Sequence, residues 1–353
     1  IDPSRLPSVE LGTSGRGLGA GPDPFHLVKG DINTLSDGIK ALLGTDHPVL
    51  SAAAKYFFEI DGGKKVRPTM VPGGPAATAA AAAAAAALAA APAELGAFDI
   101  ACQRRLAEIT EMIHTASLFH DDVIDKADTR RGVPTVNKVF GNKLAILAGD
   151  FLLARASVSL ARLRSVEVVE LLSTVIEHLV KGEVLQMRPV MNGTPAFEYY
   201  VRKNYYKTGS LMANSCKAAA ILGRHAQDIA HEYGKRVGLA FQLVDDVLDF
   251  EGNDFTLGKP ALNDLRQGLA TAPVLLATER SPHLQQLINR KFNMPGDVDA
   301  VLQLVHESGS IQRTKDIARV QAELATDAVM RLSPSPERDA LVNLAYKIVH
   351  RNH

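Results

Sequence analysis

The sequence contains no tryptophan, and only 5% of its residues are aromatic, although 46% are hydrophobic. An interior of this composition must be filled mainly by aliphatic side chains, which suits a bundle of helices. There are only two cysteines, Cys102 and Cys216, too few for a disulfide or metal-binding framework. Such sparse cysteine usage is typical of a chain in a reducing compartment.

Net charge is also lacking, because 39 lysines and arginines balance 39 aspartates and glutamates. This balance argues against a general nucleic-acid-binding protein, which would carry an excess of positive charge. Every apolar stretch of transmembrane length is dominated by alanine, so the sequence predicts no transmembrane helix. The chain starts at Ile1 rather than methionine, and its N-terminus therefore carries no information on targeting.

The length of 353 residues suits one large domain or two ordinary ones, and no linker divides the second half. Residues 1–24 are rich in Gly, Pro and Ser, which predicts a disordered tail before a single all-α domain over 25–353. Within that domain, the low-complexity segment 72–93 has nine consecutive alanines, Ala79 to Ala87. It could be a bare helix, a disordered insertion or a poorly determined stretch of sequence.

The eleven residues from Asp121 to Arg131, DDVIDKADTRR, follow an apolar pattern at helical spacing that predicts one helix over 104–126. Asp121 and Asp125 are then one turn apart on one face, at about 5–6 Å, with Asp122 a third of a turn round. Unpaired carboxylates so close repel each other, and clustered oxygens suit a hard cation such as Mg²⁺. A solvated acidic helix end is the alternative interpretation.

The same spacing recurs as Asp245, Asp246 and Asp249, at the end of a predicted helix over 226–250. Two copies on separate apolar helices are hard to explain as solvated helix ends. If the two copies face each other, they could hold Mg²⁺ ions and a diphosphate group between them.

These two copies resemble the first and second aspartate-rich motifs of the trans-isoprenyl diphosphate synthases. GGKKVRP (62–68) and GKPALNDL (258–265) also match that family. HDDVIDKADTRRG together with GLATAP (268–273) is most similar to the long-chain polyprenyl diphosphate synthases of ubiquinone side-chain synthesis, especially fungal mitochondrial ones. The resemblance covers residues 24–71 and 100–353 and implies an all-α isoprenoid synthase-type bundle of long helices around a central cavity.

The resemblance also implies which residues bind the two diphosphate substrates. The positions for isopentenyl diphosphate are Lys64, Arg67, His114 and Arg131. Those for the allylic diphosphate and its metal site are Arg130, Lys207, Thr208, Lys259, Gln186 and Gln242, with Arg351 as a further candidate for closing the site. On local sequence alone, the basic loop could be solvated, Lys207 could be a surface lysine, and His114 could be a core residue.

The implied chemistry is a Mg²⁺-dependent, consecutive 1′-4 condensation of isopentenyl diphosphate onto an allylic diphosphate. The residues expected to carry it are Asp121, Asp122, Asp125, Lys207 and Asp245. Metal ions and cations would stabilise the departing diphosphate. The small residues Ala116 and Ser117 precede Asp121 by about one turn, where a bulky aromatic residue stops growth early in the family, so we expect a long product.

The resemblance further implies a mitochondrial homodimer that associates peripherally with a membrane for product release. A subunit of a heteromer, inactive without its partner, is the leading alternative, but both aspartate motifs are intact. A terpene cyclase is a weaker alternative, because its second metal site usually departs from this spacing. A di-metal carboxylate bundle would require Glu-x-x-His pairs, which the sequence does not place suitably.

Two features depart from the family pattern. The alanine-rich segment 72–93 replaces most of an expected amphipathic helix, and Leu269 stands where many relatives have a second lysine. The long-chain mitochondrial members share the latter change, so it does not imply inactivity. Elsewhere the pattern predicts a loop over 132–141, one helix over 195–223 and a loop over 252–268.

Overall fold

The computed structural model describes residues 23–24, 29–44, 48–59, 97–130, 133–188, 194–224, 226–251 and 262–351. Within these residues the chain is helical throughout apart from its connections and one antiparallel hairpin, which confirms the all-α prediction. The hairpin pairs β1 (Thr129–Arg130) with β2 (Val133–Pro134).

The helices, in chain order, are α1 (Lys29–Leu42), α2 (Pro48–Glu59), α3 (Ala97–Ile124), α4 (Val136–Phe140), α5 (Asn142–Arg162), α6 (Val166–Met187), α7 (Ala196–Asn204), α8 (Ser210–Leu222), α9 (Gln227–Glu251), α10 (Asn263–Arg266), α11 (Ala272–Ala277), α12 (His283–Asn289), α13 (Asp297–Ser308), α14 (Ser310–Val329) and α15 (Pro336–Val349). A π-helical turn, Tyr205–Gly209, joins α7 to α8.

The two longest helices carry the two aspartate motifs at their C-terminal ends. They are α3, with 28 residues, and α9, with 25. Helix α8 packs against both of them, and α5 packs along α3. The main hydrophobic core lies between these helices and is aliphatic apart from a few aromatic side chains, as the composition predicts. Helix α8 is therefore a shared neighbour of the two helices that carry the motifs.

The π-helical turn is enclosed by close backbone contacts at two glycines. A Cβ atom at Gly238 of α9 would lie 2.8 Å from the Cα of Gly209, and one at Gly182 of α6 would lie 2.9 Å from the backbone nitrogen of Lys207. Any larger residue at either position would push the backbones apart. The segment that carries Lys207 is thus held between α6 and α9.

The single helix expected over 195–223 is confirmed as an uninterrupted helical run over residues 196–222, in which the π-helical turn widens one turn by an extra residue. Two local predictions need correction. The loop expected over 132–141 contains β2 and α4, elements too short to show a period in the sequence. Within the expected loop over 252–268, residues 263–266 form α10, and residues 252–261 lie outside the described part of the chain.

Helix α5 is long and apolar enough, by length and composition alone, to span a membrane, whereas the sequence predicted no such helix. Its residues Ala145, Ala148, Leu152 and Ala156 are fully buried in the main core. Packing inside the bundle accounts for the apolar character of this face.

Candidate functional site

The first aspartate motif meets a lysine and a glutamate from neighbouring elements. Lys207 Nζ lies 2.6 Å from a carboxylate oxygen of Glu183 on α6. Burial raises the pKa of Asp121 to about 6, Lys207 opposes this rise, and the charges of Glu183 and Asp125 add to it. Partial desolvation, and then the charge of Glu183, likewise raise the pKa of Asp125, although its side chain is exposed to the cavity. Three carboxylates therefore surround Lys207 and leave a local excess of negative charge.

Asp122 is paired with Arg130 instead of Lys207. The hairpin returns Arg130 of β1 over the end of α3, where its Nη2 lies 2.7 Å and its Nε 3.1 Å from Asp122 Oδ1. The Asp122 residue is only 5% exposed. A planar guanidinium fork matches a carboxylate well. In this structure Arg130, which the resemblance assigns to diphosphate, is thus engaged by an aspartate.

A cavity of about 610 Å³ opens beside the first motif. Asp125, Glu183 and Gln186 contribute to its wall, together with Lys203 of α7 and Lys291. The cavity has acidic and basic wall residues and is large enough for a small phosphorylated ligand. Gln186, predicted to face the metal–diphosphate site, therefore lines this cavity.

The chemistry of these side chains fits a divalent cation. Among the described residues no three acidic, His or Cys side chains stand close enough together to form a complete metal site. Asp125 and Glu183 nevertheless offer carboxylate oxygens to the cavity, and the mutual repulsion that raises the pKa of Asp121 would be relieved by a cation. Mg²⁺ is commonly held by one or two carboxylates and retains several waters, so an incomplete protein shell suits it.

The second aspartate motif has a different environment, centred on Asp246. Both carboxylate oxygens of Asp246 accept hydrogen bonds: from the Tyr200 hydroxyl at 2.6 Å, from Gln242 Nε2 at 2.9 Å and from the Ala272 backbone N–H at 3.0 Å. The residue is 1% exposed. Burial raises the pKa of Asp246, and these hydrogen bonds oppose the rise.

A chain of hydrogen bonds connects this aspartate to the π-helical turn. Thr208 donates its hydroxyl to Gln242 Oε1 at 3.0 Å, and Gln242 donates to Asp246. The prediction that Gln242 supports the second motif agrees with this geometry. Lys207 and Thr208 are adjacent in this turn. The turn therefore interacts with the first motif through Lys207 and with the second motif through Thr208 and Gln242.

The remaining two aspartates of the second motif also contact protein groups. Asp249 is buried and accepts a hydrogen bond from the Asp264 backbone N–H at 3.3 Å. Asp245 is one-third exposed and pairs with Arg351. The Arg351 guanidinium also donates to the Phe241 carbonyl oxygen at 3.0 Å and lies 3.9 Å from the centre of the Phe241 ring. The C-terminal arginine, a candidate for closing the site, thus reaches the second motif.

The residues expected to control product length lie on α3, before the first motif. Ala116 is fully buried in the main core, whereas Ser117 is half-buried and donates its hydroxyl to the His114 carbonyl oxygen at 2.8 Å. The two positions therefore differ in the space around them. His114 is also half-buried on this helix.

Several predicted positions lie outside the described residues: Lys64, Arg67, Arg131, Lys259, and the segments 1–22 and 72–93. Their roles stay predictions. Conversely, the sequence motifs did not identify Tyr200 and Lys203 as residues of the site. Lys203 lies one helical turn before Lys207, and this spacing is the only local signal that could have found it.

Comparisons with known proteins bear on this site. A family model described as polyprenyl synthetase matches residues 47–305. A probable mitochondrial hexaprenyl pyrophosphate synthase of Neurospora crassa is 44% identical over 368 residues, which cover 94% of this chain and 82% of that protein. The mitochondrial solanesyl-diphosphate synthase 1 of Oryza sativa subsp. japonica is 43% identical over 345 residues, which cover 93% and 79%.

Solved structures show the same likeness. The crystal structure of a polyprenyl synthase from Caulobacter crescentus, complexed with calcium and isoprenyl diphosphate, has a TM-score of 0.79 and 30% identity. The alignment covers 94% of this chain and 97% of that one.

Proposed function

Because the chain belongs to the polyprenyl synthetase family, we propose that it is a trans-polyprenyl diphosphate synthase, a prenyltransferase. It condenses isopentenyl diphosphate repeatedly onto an allylic diphosphate in 1′-4 linkages. The observation that carries this proposal is the arrangement of Asp121, Asp125 and Glu183 around Lys207 at the edge of a cavity of about 610 Å³.

Lys207 stabilises the departing diphosphate. When the allylic C1–O bond breaks, negative charge accumulates on the diphosphate oxygens, and a preorganised cation lowers the barrier to that step. Burial alone would lower the pKa of Lys207, but Asp121 and Glu183 outweigh burial and raise it. The ammonium group therefore stays charged at neutral pH.

The resident metal is Mg²⁺, held by the two aspartate motifs. Asp121 and Asp125 of the first motif support this assignment most directly, because Asp122 pairs with Arg130, Asp245 pairs with Arg351, and Asp246 accepts a hydrogen bond from Tyr200. Asp122, Asp245, Asp246 and Asp249 complete the expected set. When bound, Mg²⁺ supplies Lewis-acid stabilisation of the diphosphate oxygens. That the Caulobacter relative was solved with calcium and isoprenyl diphosphate supports a divalent metal here.

The product is a long all-trans polyprenyl diphosphate for ubiquinone synthesis. Ala116 and Ser117 place no bulky side chain ahead of the first motif. The Neurospora and Oryza relatives are named for hexaprenyl and solanesyl products and for mitochondria, which supports a long product and a mitochondrial location.

A second copy of this chain is the expected partner. Helices α5 and α6 pack together and expose apolar side chains, including Leu147 at 57% and Val180 at 60%. Burial of such a surface against its twin would favour a dimer. Light scattering of the wild-type protein and of Leu147→Asp tests this; a wild-type monomer would contradict it.

The function is tested by a product assay. Purified protein, Mg²⁺, farnesyl diphosphate and labelled isopentenyl diphosphate are incubated, and the chain length of the product is measured. We expect long polyprenyl products, lost in Asp121→Ala and retained in the control Asp228→Ala, whose exposed carboxylate lies at the opposite end of α9. No product from folded protein would contradict a self-sufficient synthase and favour a subunit that requires a partner.

A further inference from the structure

Lys203 is a lysine of the cavity wall to which the sequence motifs assign no role. It lies on α7, one turn before Lys207, and its ammonium group lies 5.9 Å from the centre of the Tyr200 ring. Across the described residues, no carboxylate lies within ion-pair distance of its Nζ. This half-buried cation therefore has an aromatic face beside it and no ion-pair partner among the described residues.

Three other cations near the motifs are already engaged. Lys207 pairs with Glu183, Arg130 with Asp122, and Arg351 with Asp245. Lys291 also lines the cavity, but its side chain is exposed and solvated. Lys203 thus differs from these neighbours in being half-buried without an ion-pair partner among the described residues.

This arrangement is costly unless an anion enters the cavity. Transferring a charge out of water without pairing it is unfavourable, and burial accordingly lowers the pKa of Lys203. The charges of Asp246, Asp264 and Glu183 oppose this shift, but none of them forms an ion pair with Lys203: the oxygens of Asp246 accept hydrogen bonds from other groups, and Glu183 pairs with Lys207. An anionic ligand in the cavity would give Lys203 a direct charged contact.

We propose that Lys203 binds a diphosphate group in the cavity lined by Asp125 and Glu183. The inference rests on the proposed function, since both substrates carry this group. An ammonium is a suitable point-charge partner for a phosphate oxygen. Binding would give Lys203 its missing partner and bring the diphosphate close to the carboxylates that favour a divalent metal.

The test compares Lys203→Gln with the control Arg202→Gln. Arg202 is the adjacent residue, is exposed, and lies 5.5 Å from the centre of the neighbouring Tyr199 ring, so the control removes an equal charge at a similar site outside the cavity. Binding of inorganic diphosphate with Mg²⁺ is measured by calorimetry. We expect Lys203→Gln to weaken it about 10- to 100-fold, as for loss of one charge-assisted hydrogen bond. Arg202→Gln should leave it unchanged, and Lys203→Arg should restore most of it.

Steady-state kinetics then identify which substrate's diphosphate is bound. A higher KM for the allylic diphosphate alone assigns Lys203 to that substrate, and a higher KM for isopentenyl diphosphate alone assigns it to the other. Unchanged calorimetric binding in folded Lys203→Gln overturns the proposal, as does equal weakening in Arg202→Gln. Lys203→Met, which keeps the apolar stem, replaces the Gln variant if that variant does not unfold cooperatively. A wild type that binds diphosphate through Lys203 but forms no product would refute the proposed function and leave this inference standing.

Discussion

The two aspartate motifs have the same spacing but different surroundings. In the first motif, Asp125 is exposed at the cavity and Asp121 has a raised pKa beside Lys207. In the second motif, Asp246 and Asp249 are buried and accept hydrogen bonds from the protein. The same Asp-Asp-x-x-Asp spacing thus produces one motif with two carboxylates beside Lys207 and the cavity and another with two carboxylates hydrogen-bonded within the protein.

The difference shows how a motif can be shared between two tasks. A carboxylate that must bind a metal requires open oxygens, whereas one that fixes neighbouring elements requires donors within the protein. Asp246 joins α7, α9 and α11 through Tyr200, Gln242 and Ala272. We infer that Asp246 mainly positions Asp245 rather than binding metal itself.

The largest expected effect is the difference between Asp246→Ala and Asp125→Ala in the free energy of unfolding. Asp246→Ala leaves three buried donors without an acceptor and should lower the free energy of unfolding by about 3–5 kcal/mol. Asp125→Ala removes an exposed carboxylate and should change it by less than about 0.5 kcal/mol, while abolishing turnover. Urea denaturation followed by circular dichroism measures both. Equal destabilisation in the two variants would contradict the division of tasks.

Next in size are the two substitutions before the first motif. Ala116→Phe inserts a ring into a filled core and should cost about 1–3 kcal/mol of stability. Ser117→Phe enters a half-buried position and should cost less. If the elongating chain passes this position, Ser117→Phe yields a shorter product from a stable enzyme, read by chromatography of the labelled product. Unchanged length from folded Ser117→Phe would show that the chain grows elsewhere.

A smaller effect is expected for Tyr200→Phe, which removes one donor to Asp246. The loss should be about 1–1.5 kcal/mol. Tyr233→Phe is a matched control, because this buried tyrosine donates to the Leu341 carbonyl oxygen at 2.9 Å, away from both motifs. Only Tyr200→Phe should raise the Mg²⁺ concentration needed for half-maximal turnover. A similar rise in Tyr233→Phe would reduce the role of Tyr200 to general packing.

The smallest effect is expected for Arg351→Gln. The Arg351 side chain is nearly buried, but Asp245 is one-third exposed, so water can solvate its carboxylate once the arginine is removed, and the loss should be about 0–1 kcal/mol. Thermal unfolding at low salt should detect a decrease of that size. A loss of stability as large as that of Asp246→Ala would show that Arg351, rather than the hydrogen bonds to Asp246, mainly holds the second motif in place.

The sequence predicts the helical class, the ends of α3 and α9, and the acidic character of the site, because each depends on local spacing. It does not predict that Asp246 is enclosed, since Tyr200 and Ala272 are 46 and 26 residues away along the chain. The engagement of Arg130 by Asp122 depends on a hairpin of two-residue strands, too short to show alternation. The π-helical turn is likewise invisible, because one extra residue has no compositional signature.

The two glycine contacts around the π-helical turn have a consequence for catalysis over many cycles. With Gly182 on one side and Gly238 on the other, Lys207 and Thr208 have little freedom to rearrange. The conformational entropy of ordering them is lost once, when the chain folds, and not again with each substrate that binds. An enzyme that extends one product through successive condensations meets this step repeatedly, so a preorganised turn benefits every round of elongation.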